Sequence, residues 1–250
     1  MTLDTPTFAA PPRTVTVEVW SDVACPWCWI GKRRFATALR AFPHRDHVEV
    51  VWRSYQLSPE TPTGPGRPEI DALVEAKGLP RDRVEEMFAR VAAVGAADGL
   101  HYDFATTLAF NTFDAHRLLH LAREAGGAPL VDATMETLFS AHFEEGTDLG
   151  ADGALVTAAA RAGFAAHGWD DARVAAALAG DDAADAVRDD LATARSIGVT
   201  GVPFFVVDRR YAVSGAQPAE VFAQLLDAGW REANPLVAAP TADACTDGTC

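Results

Sequence analysis

The spacing of hydrophobic and polar positions changes period along the chain, and each change marks an element. Residues 14–20 (TVTVEVW) alternate polar with β-branched or aromatic side chains, the period of two that a strand requires. After a short polar connection at residues 21–24, residues 26–42 (PWCWIGKRRFATALRAF) switch to helical spacing. Ile30, Phe35 and Leu39 supply the apolar side, and Pro26 stands where a first helical turn tolerates it. Residues 47–57 (HVEVVWRSYQL) read as a second strand, and residues 58–68, with their prolines and glycines, as a loop. From about residue 69 to residue 197 the pattern is almost wholly helical, punctuated at Gly78-Leu79-Pro80, Gly99, Gly126-Gly127 and Gly146. Residues 202–207 (VPFFVV) and 211–214 predict a hairpin around Asp208-Arg209-Arg210, and residues 218–230 a last helix.

The order strand, helix, strand, helical block, strand, strand, helix is that of an α/β thioredoxin-like core with a large all-helical insertion. Its mixed parallel and antiparallel sheet would be flanked by helices. The expected parts are residues 14–66 and 198–232 for the core, 67–197 for the insertion, and 233–250 for a flexible tail poor in large apolar residues. The first helix would join a parallel strand pair, and the last two strands would add antiparallel edges.

Candidate chemistry lies in the cysteines. Cys25 and Cys28 form a C-x-x-C at the predicted passage from strand to helix, and Cys245 and Cys250 a C-x4-C at the end of the chain. At the start of a helix, free N–H groups and the positive end of the dipole favour a thiolate. Cys25 is then the expected exposed nucleophile and Cys28, one turn further, the thiol that resolves a mixed disulfide; Asp22 would oppose the thiolate. Half a zinc site is the competing reading of such a pair. Zinc sites usually bring a second ligand pair within a few tens of residues, and here the next cysteine is Cys245, so no metal is expected.

A second signal is GVTGVPF, residues 198–204, where a proline opens an apolar strand. In a thioredoxin-type core the Val202–Pro203 bond would be cis. Pro203 would then lie against the sulfurs and the Val202 backbone would be free to pair with an extended substrate. Pro26 and Trp27 between the cysteines are expected to contact substrate, with Trp27 exposed, and Trp20 and Trp29 are candidates for the same apolar rim. Core packing competes with that role, most strongly for Trp20. Gly248 permits a short loop between Cys245 and Cys250, and the tail is long enough to reach the first pair, so the two are a candidate second redox pair. His116 and His120 have the spacing of metal ligands but lack the rest of a metal motif, which leaves them a surface or core role. Asn111 reads as a helix cap, with substrate contact by Asn111 and Thr112 the competing role.

Composition narrows the class. A 250-residue chain that is 49% hydrophobic can bury a substantial core. A formal charge of −14 disfavours nucleic acid and anionic membranes as partners. Four cysteines are too few for a disulfide-stapled scaffold, and the first 13 residues lack the pattern of a secretory signal, so a cytoplasmic location is expected.

Together VEVWSDVACPWCWIGKRRF (residues 17–35), NTFDAHRLLHLA (111–122) and GVTGVPFFVVDRRYAVSGAQP (198–218) resemble the DsbA family of the thioredoxin superfamily, in its FrnE-like branch. The resemblance implies dithiol–disulfide exchange with client proteins and a thiol redox partner. Cys25 would be nucleophile, Cys28 resolving thiol and Pro203 the cis-proline, with no resident cofactor, in a monomer or homodimer. Trp27 stands where the periplasmic members carry histidine, which favours reduction or isomerisation of client disulfides over strong oxidation. The kappa-class glutathione transferases and 2-hydroxychromene-2-carboxylate isomerases are similar around residues 111–117 but generally carry serine at the position of Cys25. A glutathione-using small-molecule enzyme is therefore the second reading, and a thiol-based metal-binding protein or chaperone the third.

Overall fold

The computed structural model describes residues 11–235. In chain order the elements are β1 (Val15–Ser21), α1 (Pro26–Ala41), β2 (Val48–Ser54), β3 (Arg67–Pro68), α2 (Glu69–Lys77), α3 (Arg81–Ala97), β4 (Leu108–Ala109) and α4 (Phe113–Phe143). They continue with α5 (Ala154–Ala162), α6 (Asp171–Ala179), α7 (Ala184–Ser196), β5 (Phe204–Val207), β6 (Tyr211–Ser214) and α8 (Ala219–Ala233). None of the helices among the described residues is long and apolar enough to cross a membrane.

The main sheet has the order β2-β1-β5-β6. β1 runs parallel to β2, from Val15 opposite Val48 to Ser21 opposite Ser54, and the return between them is made by α1. On its other side β1 pairs antiparallel with β5, Val19 facing Phe205. The two closing strands were both expected at edges; only β6 is one. The chain leaving the helical segment enters directly beside β1, and the hairpin then grows outward from it.

Alternation along β1 decides what each face buries. Val15, Val17 and Val19 join Phe35 and Ala38 of α1, Phe205 and Val207 of β5, and Phe222 and Leu226 of α8 in one apolar layer. The rings of Phe205 and Phe222 sit 4.5 Å apart and those of Phe35 and Phe205 5.2 Å apart, distances at which aromatic pairs attract beyond their area burial. Glu18 and Trp20 take the opposite face. Trp20 is fully buried and its indole N–H donates to the Asp190 carbonyl, which removes it from any exposed rim. The buried Glu18 carboxylate receives the guanidinium groups of Arg53 and Arg209, the pairing that a buried charge needs.

The segment between β2 and β5 is mainly helical, with one addition the sequence did not show. β3 and β4, two residues each, close a small antiparallel ribbon. Two residues are too few for a period to register. Within α4 the backbone breaks at Gly127 (φ 66°, ψ −158°), a left-handed φ that glycine adopts without a Cβ clash, in agreement with the punctuation at Gly126-Gly127.

Candidate active site

Cys25 is the N-cap of α1 and Pro26 its first residue, so the helix begins on the cysteine itself. The Cys25 N–H donates to the Asp22 carbonyl at 3.1 Å and the Cys28 N–H to the Cys25 carbonyl at 3.0 Å, which fixes the first turn. The two thiols are unlinked and both are buried. Burial, and then the neighbouring Cys25 sulfur, push the Cys28 thiol well up, while the Ser21 hydroxyl and the Asp22 backbone act the other way.

The Val202–Pro203 peptide bond is cis, and the Val202 carbonyl lies 3.6 Å from the Cys25 sulfur. Helix α1 meets the proline at Gly31, where an added Cβ would come within 2.8 Å of the Pro203 ring. Glycine there lets the cis-proline loop close onto the first turns of the helix. The pair Cys25 and Cys28 and the pair Val202 and Pro203, 177 residues apart from Cys25 to Val202, are thus brought to one place.

Two expectations need correction. Cys25 is only 4% exposed, not an open nucleophile, and Trp27 is half-buried, packed against the core of the helical segment. Both join the apolar cluster that α1 shares with α4, to which Tyr102, in the connection after α3, also belongs. The Tyr102 hydroxyl donates to the Pro26 carbonyl at 2.7 Å, and its ring stands edge-on to Trp29. Burial and the two sulfurs push the Tyr102 phenol upward, so it stays a neutral donor. Trp29 is also core, stacked on Phe139 with its N–H donating to Glu136. Sequence reasoning passed over Tyr102 because no motif surrounds it and 76 residues separate it from Pro26.

Behind the dithiol lies a group of buried polar side chains. Asp22, 1% exposed, accepts the Leu57 N–H at 2.8 Å and faces His116 Nε2 at 3.3 Å. His120 meets Asp190 at 2.9 Å, so the two histidines hold separate carboxylates. His142, fully buried, is pushed down to about 4 by burial, which the Asp22 charge opposes. Glu69 at the start of α2 is pushed up to about 7 by burial and by Asp22. Among the described residues no group of three or more His, Cys, Asp and Glu side chains has an arrangement able to hold a metal. The N-cap of α4 is Thr112, not Asn111; Asn111, one residue earlier, accepts the Phe113 N–H and donates to the Thr61 carbonyl, which ties down the loop after β2. Cys245 and Cys250 lie outside the described residues.

The sheet and the paired cysteines on α1 define a thioredoxin-fold dithiol protein. Residues 16–227 match the DSBA-like thioredoxin domain, and the chain belongs to the DsbA-like family of thiol oxidoreductases. It is similar to a probable DsbA oxidoreductase from Streptomyces coelicolor, at 42% identity and a TM-score of 0.80 over 94% of this chain and 98% of that one. Two more distant structures share the fold. Cytosolic disulfide reductase DsbM from Pseudomonas aeruginosa is 19% identical with a TM-score of 0.58, over 87% of this chain and 99% of its own. A 2-hydroxychromene-2-carboxylate isomerase is 13% identical with a TM-score of 0.63, over 87% of this chain and 97% of its own. The uncharacterized protein YwbO of Bacillus subtilis is 39% identical over 46 residues, a match spanning 18% of this chain and 21% of that protein.

Proposed function

We propose that the protein reduces or isomerises disulfides of client proteins through Cys25 and Cys28. The observation that carries this reading is the seat of Cys25, at the N-cap of α1 and 3.6 Å from the carbonyl that precedes the cis-proline. The Cys25 thiolate attacks a client disulfide, a mixed disulfide forms and one client thiol leaves. Cys28 then attacks the Cys25 sulfur, releasing the second client thiol and leaving a Cys25–Cys28 disulfide for a thiol redox partner, glutathione included, to reduce. Val202 offers backbone to an extended client strand, and Pro26 and Trp27, between the two cysteines, contact it. A cytoplasmic setting, where thiols are kept reduced, agrees with this direction of electron flow. Cys245 and Cys250 serve in this reading as a second pair exchanging with the first.

Insulin reduction and the refolding of scrambled ribonuclease test the proposal. Wild type is expected active in at least one, and Cys25→Ser inactive in both; equal activity of the two proteins contradicts it. The enclosure of Cys25 favours a second reading, a transferase or isomerase that uses glutathione on a small molecule. Turnover of small glutathione-dependent substrates without any insulin reduction would select that reading.

A further inference from the structure

Away from the dithiol, α1, β2 and α4 border a cleft of about 360 Å³, the size of a small-molecule site. Helix α4 breaks at Gly127 beside it, and Gly127 and Ala128 put little bulk into the space that the break opens. Phe35 and Leu39 of α1 and Val131 of α4 make the floor apolar. The charged side chains on its walls are Lys32, Glu49, Arg123 and Asp132.

The two cations on these walls differ in what they hold. Lys32 is already engaged, its ammonium on Asp132 at 2.5 Å and on Glu136 at 2.6 Å. Arg123, half-buried, makes one side-chain hydrogen bond among the described residues, Nη2 donating to the Trp52 carbonyl at 2.6 Å, and no ion pair. Arg34, Arg53 and Arg117, the other arginines that are not exposed, all hold carboxylates: Asp98 for Arg34, Glu18 and Asp190 for Arg53, Asp114 for Arg117. A guanidinium presents five donors in a planar fork that matches a carboxylate. Arg123 has paid desolvation without the anion that offsets it, and its spare donors stand on an apolar cleft.

We propose that this cleft binds a small organic acid with a single carboxylate and an apolar body, the carboxylate on Arg123 and the body over Phe35, Leu39 and Val131. The charges select that class. A neutral apolar ligand leaves Arg123 unpaired, and a phosphate or a dicarboxylate brings a second negative charge toward Glu49 and Asp132. Neither cysteine of the dithiol lines the cleft, nor does Val202 or Pro203, so the inference is independent of the disulfide exchange.

Isothermal titration calorimetry of the full-length protein with octanoate, phenylacetate and cinnamate, each beside its primary amide, tests the site. At least one acid is expected to bind at millimolar concentration or below, about tenfold or more tighter than its amide, the worth of a charge-assisted hydrogen bond. Arg123→Gln should bring that acid down to the level of its amide. Arg123→Lys, which keeps the charge without the fork, should recover part of the difference. Ala128→Trp, at an exposed position on the cleft, should weaken acid and amide alike. Cys25→Ser should bind as wild type does. Equal binding of acid and amide, an acid preference that survives Arg123→Gln, or affinity lost in Cys25→Ser overturns the assignment. So does the failure of every acid to bind.

Discussion

The two faces of the main sheet are both buried, yet they are built differently. Toward α1 and α8 the layer is wholly apolar, with Val15, Val17, Val19, Phe35, Phe205 and Phe222 in contact. Toward the helical segment the buried set includes Glu18, Asp22, His116, His142 and Asp190. Buried polar groups cost stability unless they are paired, and on this side some atoms are not. The apolar face holds the fold, and the polar side lies behind the reactive pair.

Substitutions can pull these two jobs apart. Phe222→Ala, on the apolar face, should destabilise the protein by about 3–5 kcal/mol in denaturant titration, the cost of a large cavity. Its folded fraction should nevertheless react with glutathione disulfide at Cys25 at the wild-type rate. A slowed Cys25 in folded protein would show that the two faces are coupled.

The polar side should show itself in pH dependence. His142 has its ordinary value of 6.5 lowered to about 4 in the fold, so between those values the unfolded chain binds more protons. Its contribution is therefore fully present above 6.5 and is lost as pH falls toward 4. Glu69, raised from 4.5 to about 7, acts with the opposite sign, its contribution fading as pH rises through that window. Replacing His142 by Leu should reduce the stability lost between pH 7.5 and 4.5 by about 2 kcal/mol. Glu69→Gln should flatten the opposite limb. Unchanged pH curves in both variants would remove the distinction between the faces.

The smallest effect belongs to the clamp on the cysteine loop. Tyr102→Phe removes one hydrogen bond to the Pro26 carbonyl and should cost about 1 kcal/mol. Hydrogen exchange of the Trp27 and Cys28 amides should nevertheless rise, because that bond ties the first turn of α1 to the connection after α3. Exchange equal to wild type would assign the enclosure of Cys25 to packing alone.

What the sequence disclosed and what it hid divide along the same line. β1 and α1 were legible because alternation gives way to helical spacing at Pro26, and the cysteine pair sits on that junction. Pro203 was legible only together with the C-x-x-C upstream, because a proline opening an apolar strand is by itself an ordinary strand start. The groups behind the dithiol were not. Asp22 and His116 are 94 residues apart, and only the packing of α4 against β2 and α1 brings them together. His116 and His120, one turn apart, do not share a ligand but reach different carboxylates. The expected exposure of Cys25 and Trp27 failed because local sequence carries no sign of the distant apolar cluster they join.

The central claim is that Cys25 and Cys28 form a reducing dithiol, and a redox titration of the pair read by mass spectrometry tests it most directly. The expected result is a two-electron couple, absent from Cys25→Ser and Cys28→Ser, with a potential at or below roughly −180 mV, in the range of isomerases and reductases. A potential near roughly −120 mV, that of a strong oxidant, or no two-electron couple at all, would contradict it.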